Sequence, residues 1–160
     1  MKKMFALFLA MMMVMSLAAC GGNSAGNGSS APEPENPVNS VVEGTNDAIE
    51  ASGLEWKDIS MAFCASTTGN DTMKVISEAV KGAIEAKGGS CEVFSADGDA
   101  ANQISQVENA VQMGCNVILV MAVENDALAD AVQKAKDAGV LALTLSTDVG
   151  TQDCYMSSGD

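Results

Sequence analysis

Three polar stretches carry side chains able to hold a small solute: Ser66-Thr67-Thr68-Gly69-Asn70-Asp71-Thr72, Glu124-Asn125-Asp126 and Ser146-Thr147-Asp148. Each directly follows an apolar run. Their hydroxyls, amides and carboxylates are the groups that hydrogen-bond a polyol or another small polar molecule. The candidate ligand-binding residues are Ser66, Asn70, Asp71, Asn125, Ser146, Thr147 and Asp148. Competing local roles exist for some of them. Asn70 or Asp71 can cap the helix that follows, and Asn125 is expected to cap the next but one. Asp97-Gly98-Asp99 reads as a turn. Its calcium-loop look fades in the following Ala-Ala-Asn-Gln, which lacks the remaining acidic ligands.

Reactive chemistry has little to work with. The chain has no histidine, so the commonest general base is missing. No GxSxG, GxxxxGK[ST] or strand-following GxGxxG occurs. Cys64 lies near a strand end, but nothing in the sequence supplies a base for it. Without histidine or paired CxxC cysteines, no convincing zinc ligand set exists. Catalytic residues, metal ligands and cofactors are therefore not expected.

The net charge is −13, with eight lysines and no arginine. Phosphate-backbone binding needs clustered cations, so a nucleic-acid partner is excluded. The acidity reads as solubility on an exposed surface. Cys64, Cys91, Cys115 and Cys154 are compatible with disulfides, yet three sit in or beside apolar runs, and buried free thiols are the preferred reading.

The elements that must position these groups alternate regularly. Strand-like runs appear at 59–65, 91–96, 116–123 and 140–146, with a fifth starting at Cys154. Helical spacing links Met73, Ile76, Val80 and Ile84, then Ile104, Val107 and Val111, then Leu128, Val132 and Ala135. Glycines follow each helix, at Gly88, Gly114 and Gly139. The third and fourth strands are continuously apolar, as in a parallel sheet covered on both faces. The expected fold is α/β, an open doubly wound parallel sheet of strand order 2-1-3-4. Ligands of such sheets sit beyond the carboxyl ends of the strands, where the order reverses. That point falls between strands one and three, among the loops named above.

The amino-terminal region has a different character. Lys2 and Lys3 precede an apolar run from Met4 to Ala19, the layout of a signal peptide. The run is short of the ~20 residues that span a bilayer. Leu17-Ala18-Ala19-Cys20 resembles the lipobox of bacterial lipoproteins, which implies cleavage before Cys20 and diacylation of its sulfur. Two acyl chains suffice for stable anchoring. The Gly-, Ser-, Asn- and Pro-rich sequence that follows reads as a flexible stalk. The organisation expected is a signal peptide over 1–19, a lipidated cysteine and tether over 20–56, and one lobe over 57–160. A short helix is expected around Asn46 to Ala51.

The run from Asp58 to Asp160, most strongly the stretch Asp97 to Val140, DGDAANQISQVENAVQMGCNVILVMAVENDALADAVQKAKDAGV, resembles the amino-terminal lobe of ribose- and galactose-type periplasmic binding proteins. This resemblance implies two lobes closing on a solute, and delivery of that solute to an ABC permease. Only one lobe is expected within these residues, and one lobe supplies half a cleft. Asn70 matches the family's binding asparagine, while Thr72 and Met73 stand where stacking aromatics are usual. Ser146 and Thr147 stand where Asp or Asp-Arg is usual, with Asp148 one place beyond the acid. The function so implied is a lipid-anchored, extracytoplasmic binding component of an ABC importer for a sugar or similar solute. The alternatives are a receptor feeding a chemoreceptor or sensor kinase, and a non-binding remnant.

Overall fold

The computed structural model describes residues 37–156. Cys20, the signal segment and the start of the expected tether lie outside the described residues. The elements are α1 (Pro37–Ser52), a single 3-10 turn (Trp56–Asp58), β1 (Ser60–Ala65), α2 (Asp71–Ala86), β2 (Ser90–Ser95), α3 (Ala100–Gln112), β3 (Val117–Val120), α4 (Asn125–Asp137), β4 (Leu141–Leu145) and β5 (Cys154–Met156). All strand pairs are parallel, in the order β2-β1-β3-β4-β5. The expected order is present, with β5 added beside β4.

Alternation along each strand sends residues to two separate cores. Met61 and Phe63 of β1, Leu119 of β3 and Leu143 of β4 pack with Met73, Ile76, Val80 and Ile84 of α2. Ala62, Cys64, Ile118, Val120 and Ala142 pack on the other face with Val107 of α3 and Leu128, Val132 and Ala135 of α4. Ile118 and Leu119 are adjacent, face opposite layers, and are both fully buried. That is why the β3 sequence shows no polar alternation.

One boundary needs correction. The tether expected over 20–56 is helical from Pro37, and α1 belongs to the core. Val41, Thr45 and Ile49 recur every fourth residue and are buried against the α2 face of the sheet. Thr45 tolerates burial because its hydroxyl donates to the Val41 carbonyl at 2.8 Å. Pro37 opens the helix at a position where a missing N–H is harmless. Gly44 lets the helix lie close to β5: a Cβ there would stand 3.0 Å from the Met156 sulfur.

The described cysteines are free thiols, with Cys64, Cys91 and Cys115 buried and Cys154 half-buried. β1 separates the strand bearing Cys91 from the strand that follows Cys115. Two strand spacings of about 4.8 Å exceed the Cα separation that a disulfide spans.

Candidate functional site

The carboxyl ends of β1, β3 and β4 lie side by side, and the three polar stretches leave the sheet there. At the point where the order reverses, Gln103 of α3 holds β1 and β3 together. Its side chain is fully buried. Its amide donates to the carbonyls of Cys64 at 3.0 Å and Met121 at 2.8 Å, and its oxygen accepts from Val123 N–H at 2.8 Å. One side chain thus ties the Cys64 carbonyl, near the end of β1, to the segment just past β3. The sequence signals Gln103 only as part of the stretch that resembles the binding-protein lobe and by its polar type, and neither assigns it this role.

The expected site residues divide by what their side chains already do. Asn70 accepts from Met73 N–H at 2.8 Å and caps α2, with Asp71 as the first helical residue. The Thr147 hydroxyl accepts from Ala122 N–H at 3.0 Å and donates to the Leu145 carbonyl at 3.1 Å, so it ties β4 to the segment after β3. Asp148 accepts from Gln152 and from Gly150 N–H, at 2.7 and 2.8 Å. Those two bonds, the Gln152 one foremost, hold its carboxyl below the usual carboxylate range. In contrast, the side chains of Ser66, Asp71, Asn125 and Ser146 make no hydrogen bond among the described residues.

Asn125 is not the helix cap expected of it. Glu124 holds the cap position in extended conformation without a side-chain bond, and Asn125 is the first residue of α4. The reason lies in the register of the segment after β3, which Gln103 fixes at Val123. The Asn125 amide is left free at the sheet end. Asp97-Gly98-Asp99 is a turn as expected, with Asp97 and Gly98 both at positive φ. Asp99 goes further and caps α3 by accepting from Ala101 and Asn102 N–H.

Ser146 has an unusual backbone. Its φ is +54, in the left-handed region that non-glycine residues seldom adopt. Its N–H donates to the Met156 carbonyl at 2.8 Å. Beside it opens a hollow of about 300 Å³ lined by Pro37, Thr72, Met73, Ile76, Met121, Leu145 and Ser146. The hollow is mainly aliphatic and thioether, with Thr72 and Ser146 supplying hydroxyls. Its size lies at the small end of ligand pockets.

Cys64 is unsuited to nucleophilic work. Burial pushes its thiol up to about 12 from 9.0, so it stays protonated near neutrality. Among the described residues no cluster of three or more histidine, cysteine or acidic side chains is arranged to hold a metal. No helix there is long and apolar enough to cross a membrane.

Residues 61–160 match the family model of the periplasmic binding protein domain. Over 75 residues the chain is 36% identical to the multiple sugar-binding periplasmic receptor ChvE of Rhizobium radiobacter, covering 45% of this chain and 21% of that protein. An ABC transporter solute binding protein from Clostridium phytofermentas, solved with bound L-rhamnose, is 31% identical with a TM-score of 0.56. LsrB from Clostridium saccharobutylicum, solved in complex with AI-2, is 29% identical with a TM-score of 0.57. Each structural match covers 61% of this chain and 31% of the other. The chain therefore spans about a third of the length of these solved relatives.

Proposed function

The chain belongs to the periplasmic binding protein domain family, and from that premise we propose that it serves as the binding component of an ABC importer for a sugar or similar small polar solute. The protein is held to the extracytoplasmic face of the membrane by a lipid on Cys20, and it presents its solute to permease subunits. The carrying observation is the set of unpartnered side chains at the carboxyl ends of the strands. Ser66, Asp71, Asn125 and Ser146 come from three different loops and converge on one end of the sheet. The sugar-binding description of the curated relative, and the rhamnose in one solved relative, support a sugar as the solute.

Chemically, the site binds and does not react. Side-chain hydroxyls, an amide and a carboxylate exchange hydrogen bonds with water for hydrogen bonds with solute hydroxyls. Asn70, Thr147 and Asp148 shape the loops, and the free Nδ2 of Asn70 remains available as a donor.

The test has two arms. Calorimetric titration of the chain with neutral monosaccharides, at the high concentrations that half a cleft demands, should give weak heats of binding that amino acids and nucleotides do not give. Heats from amino acids alone would replace the sugar assignment. In the producing bacterium, Cys20→Ala should abolish acyl labelling and release the protein from the membrane fraction. Unchanged retention of that variant would remove the anchor from the account.

A further inference from the structure

The hollow beside Ser146 has a chemistry distinct from the polar loops around it. Met73 of α2, Ile76 one turn later and Leu145 of β4 are almost fully buried, yet all three line the open space. Met121, just past β3, adds a second thioether from a different element. Among the described residues, no aromatic lines the hollow. A sugar ring cannot stack here, because stacking needs a π face. What the walls offer is soft, deformable apolar contact from thioethers and a leucine.

The rim is polar. The hydroxyls of Thr72 and Ser146 have no partner among the described residues, and the hollow is continuous through Ser146 with the loop that carries Thr147 and Asp148. The left-handed backbone at Ser146 is the kind of strained conformation that clusters at ligand sites. An occupant must therefore bury a compact alkyl group against Met73, Met121 and Leu145 while pairing hydroxyls at the rim. A fully hydroxylated polyol would turn a hydroxyl toward sulfur and carbon and lose its water there without replacement.

We infer that this hollow is a methyl-accepting subsite, and that the solute is a deoxy sugar or another small polyol bearing an alkyl group. This inference rests on the solute-binding reading above and narrows it. Met73 and Met121 set the preference, each from a different element.

The test uses the chain carrying isotope-labelled methionine methyl groups. The Met73 and Met121 signals are assigned from Met73→Leu and Met121→Leu. The probes are L-rhamnose and L-fucose, each set beside the hydroxymethyl sugar of the same configuration, L-mannose and L-galactose. At least one deoxy sugar should bind about ten-fold more tightly than its counterpart and should shift both methyl signals. Met121→Gln, close in size but polar, should bring that ratio near one, with the folded spectrum retained. Equal binding within both pairs, or binding that leaves both methyl signals unmoved, would overturn the subsite and leave the solute reading standing. Binding of D-ribose or D-glucose with no response to either deoxy sugar would do the same. No response to any of these sugars, nor to any solute of the calorimetric panel, would bring down both.

Discussion

The two ends of the parallel sheet treat their polar side chains differently. At the amino ends, side chains close the backbone. Asn116 accepts from Ser60 N–H at 2.9 Å and donates to the Asp58 carbonyl at 2.8 Å, which joins the entries of β1 and β3. Asp153 accepts from Ala142 N–H at 2.9 Å with one oxygen and pairs with Lys136 at 2.9 Å through the other. At the carboxyl ends, Gln103 and Thr147 do similar work, but Ser66, Asp71, Asn125 and Ser146 are left over. One end is nearly finished, although the buried Gln152 Oε1 has no partner among the described residues; the other retains hydrogen-bonding capacity that no described residue uses. Leaving such groups unpartnered is a structural indifference at best, and it makes sense at the end where α/β sheets receive ligands.

The largest expected effect concerns the frame that both ends share. Ile118→Ala and Leu119→Ala should each destabilise the lobe by about 2–5 kcal/mol, because each side chain is enclosed by a different helical layer. Denaturant unfolding measures both. If either residue tolerates aspartate without loss, the sheet is not covered on two faces.

The next sharpens the picture of the finished end. Gly89 precedes β2, and a Cβ there would lie 2.9 Å from Ile84 Cγ2, 3.0 Å from Ile59 Cβ and 3.0 Å from the Trp56 carbonyl oxygen. The backbone oxygen has little freedom to retreat. Gly89→Ala should cost about 1–3 kcal/mol, measured by the same unfolding assay, and should leave solute affinity unchanged once folded.

A third expectation follows from the thiols. Burial raises Cys64 and Cys91 to about 12 from the ordinary 9.0. Below pH 9 both thiols are neutral in the folded and unfolded chains, and their contribution to stability is fully present. Between about 9 and 12 the unfolded chain releases protons that the folded chain keeps, so stability falls as pH rises. Unfolding midpoints recorded across this interval should decline, less steeply in Cys64→Ala. A flat profile would mean these thiols are solvated. Under native conditions Cys154, half-buried, should alkylate before Cys64.

The architecture was legible because its signals are local and redundant. Doubly covered strands read as unbroken apolar runs, and the apolar spacing of α2 from Met73 to Ile84 matches its buried face. Of α1 only the part around Asn46 to Ala51 was legible, for a physical reason. Its buried stripe includes a threonine, and its sequence holds Gly44, Asn39 and Asn46, poor helix formers that resemble stalk composition. Only packing on the sheet makes that segment a helix. The strand order, from which the place of the candidate site follows, was also legible. Which side chains remain free was not. Thr147 and Ser146 look alike in sequence, yet one bridges β4 to the segment after β3 and the other has no partner. Such a division depends on tertiary placement.

The smallest effect on stability bears most on function. Asn116→Ala strips bonds from the finished end and should cost about 1–3 kcal/mol. Ser146→Gly removes a hydroxyl and relieves a left-handed backbone, so stability should hold or rise by up to about 1 kcal/mol. The most direct test of the central claim is a map of backbone amide shifts during titration with a binding monosaccharide. The account predicts shifts confined to residues 66–72, 121–126 and 146–148, retained in Asn116→Ala and weakened in Ser146→Gly. Shifts centred on residues 58–60, 115–116 and 152–154, with Ser146→Gly binding as before, would contradict it.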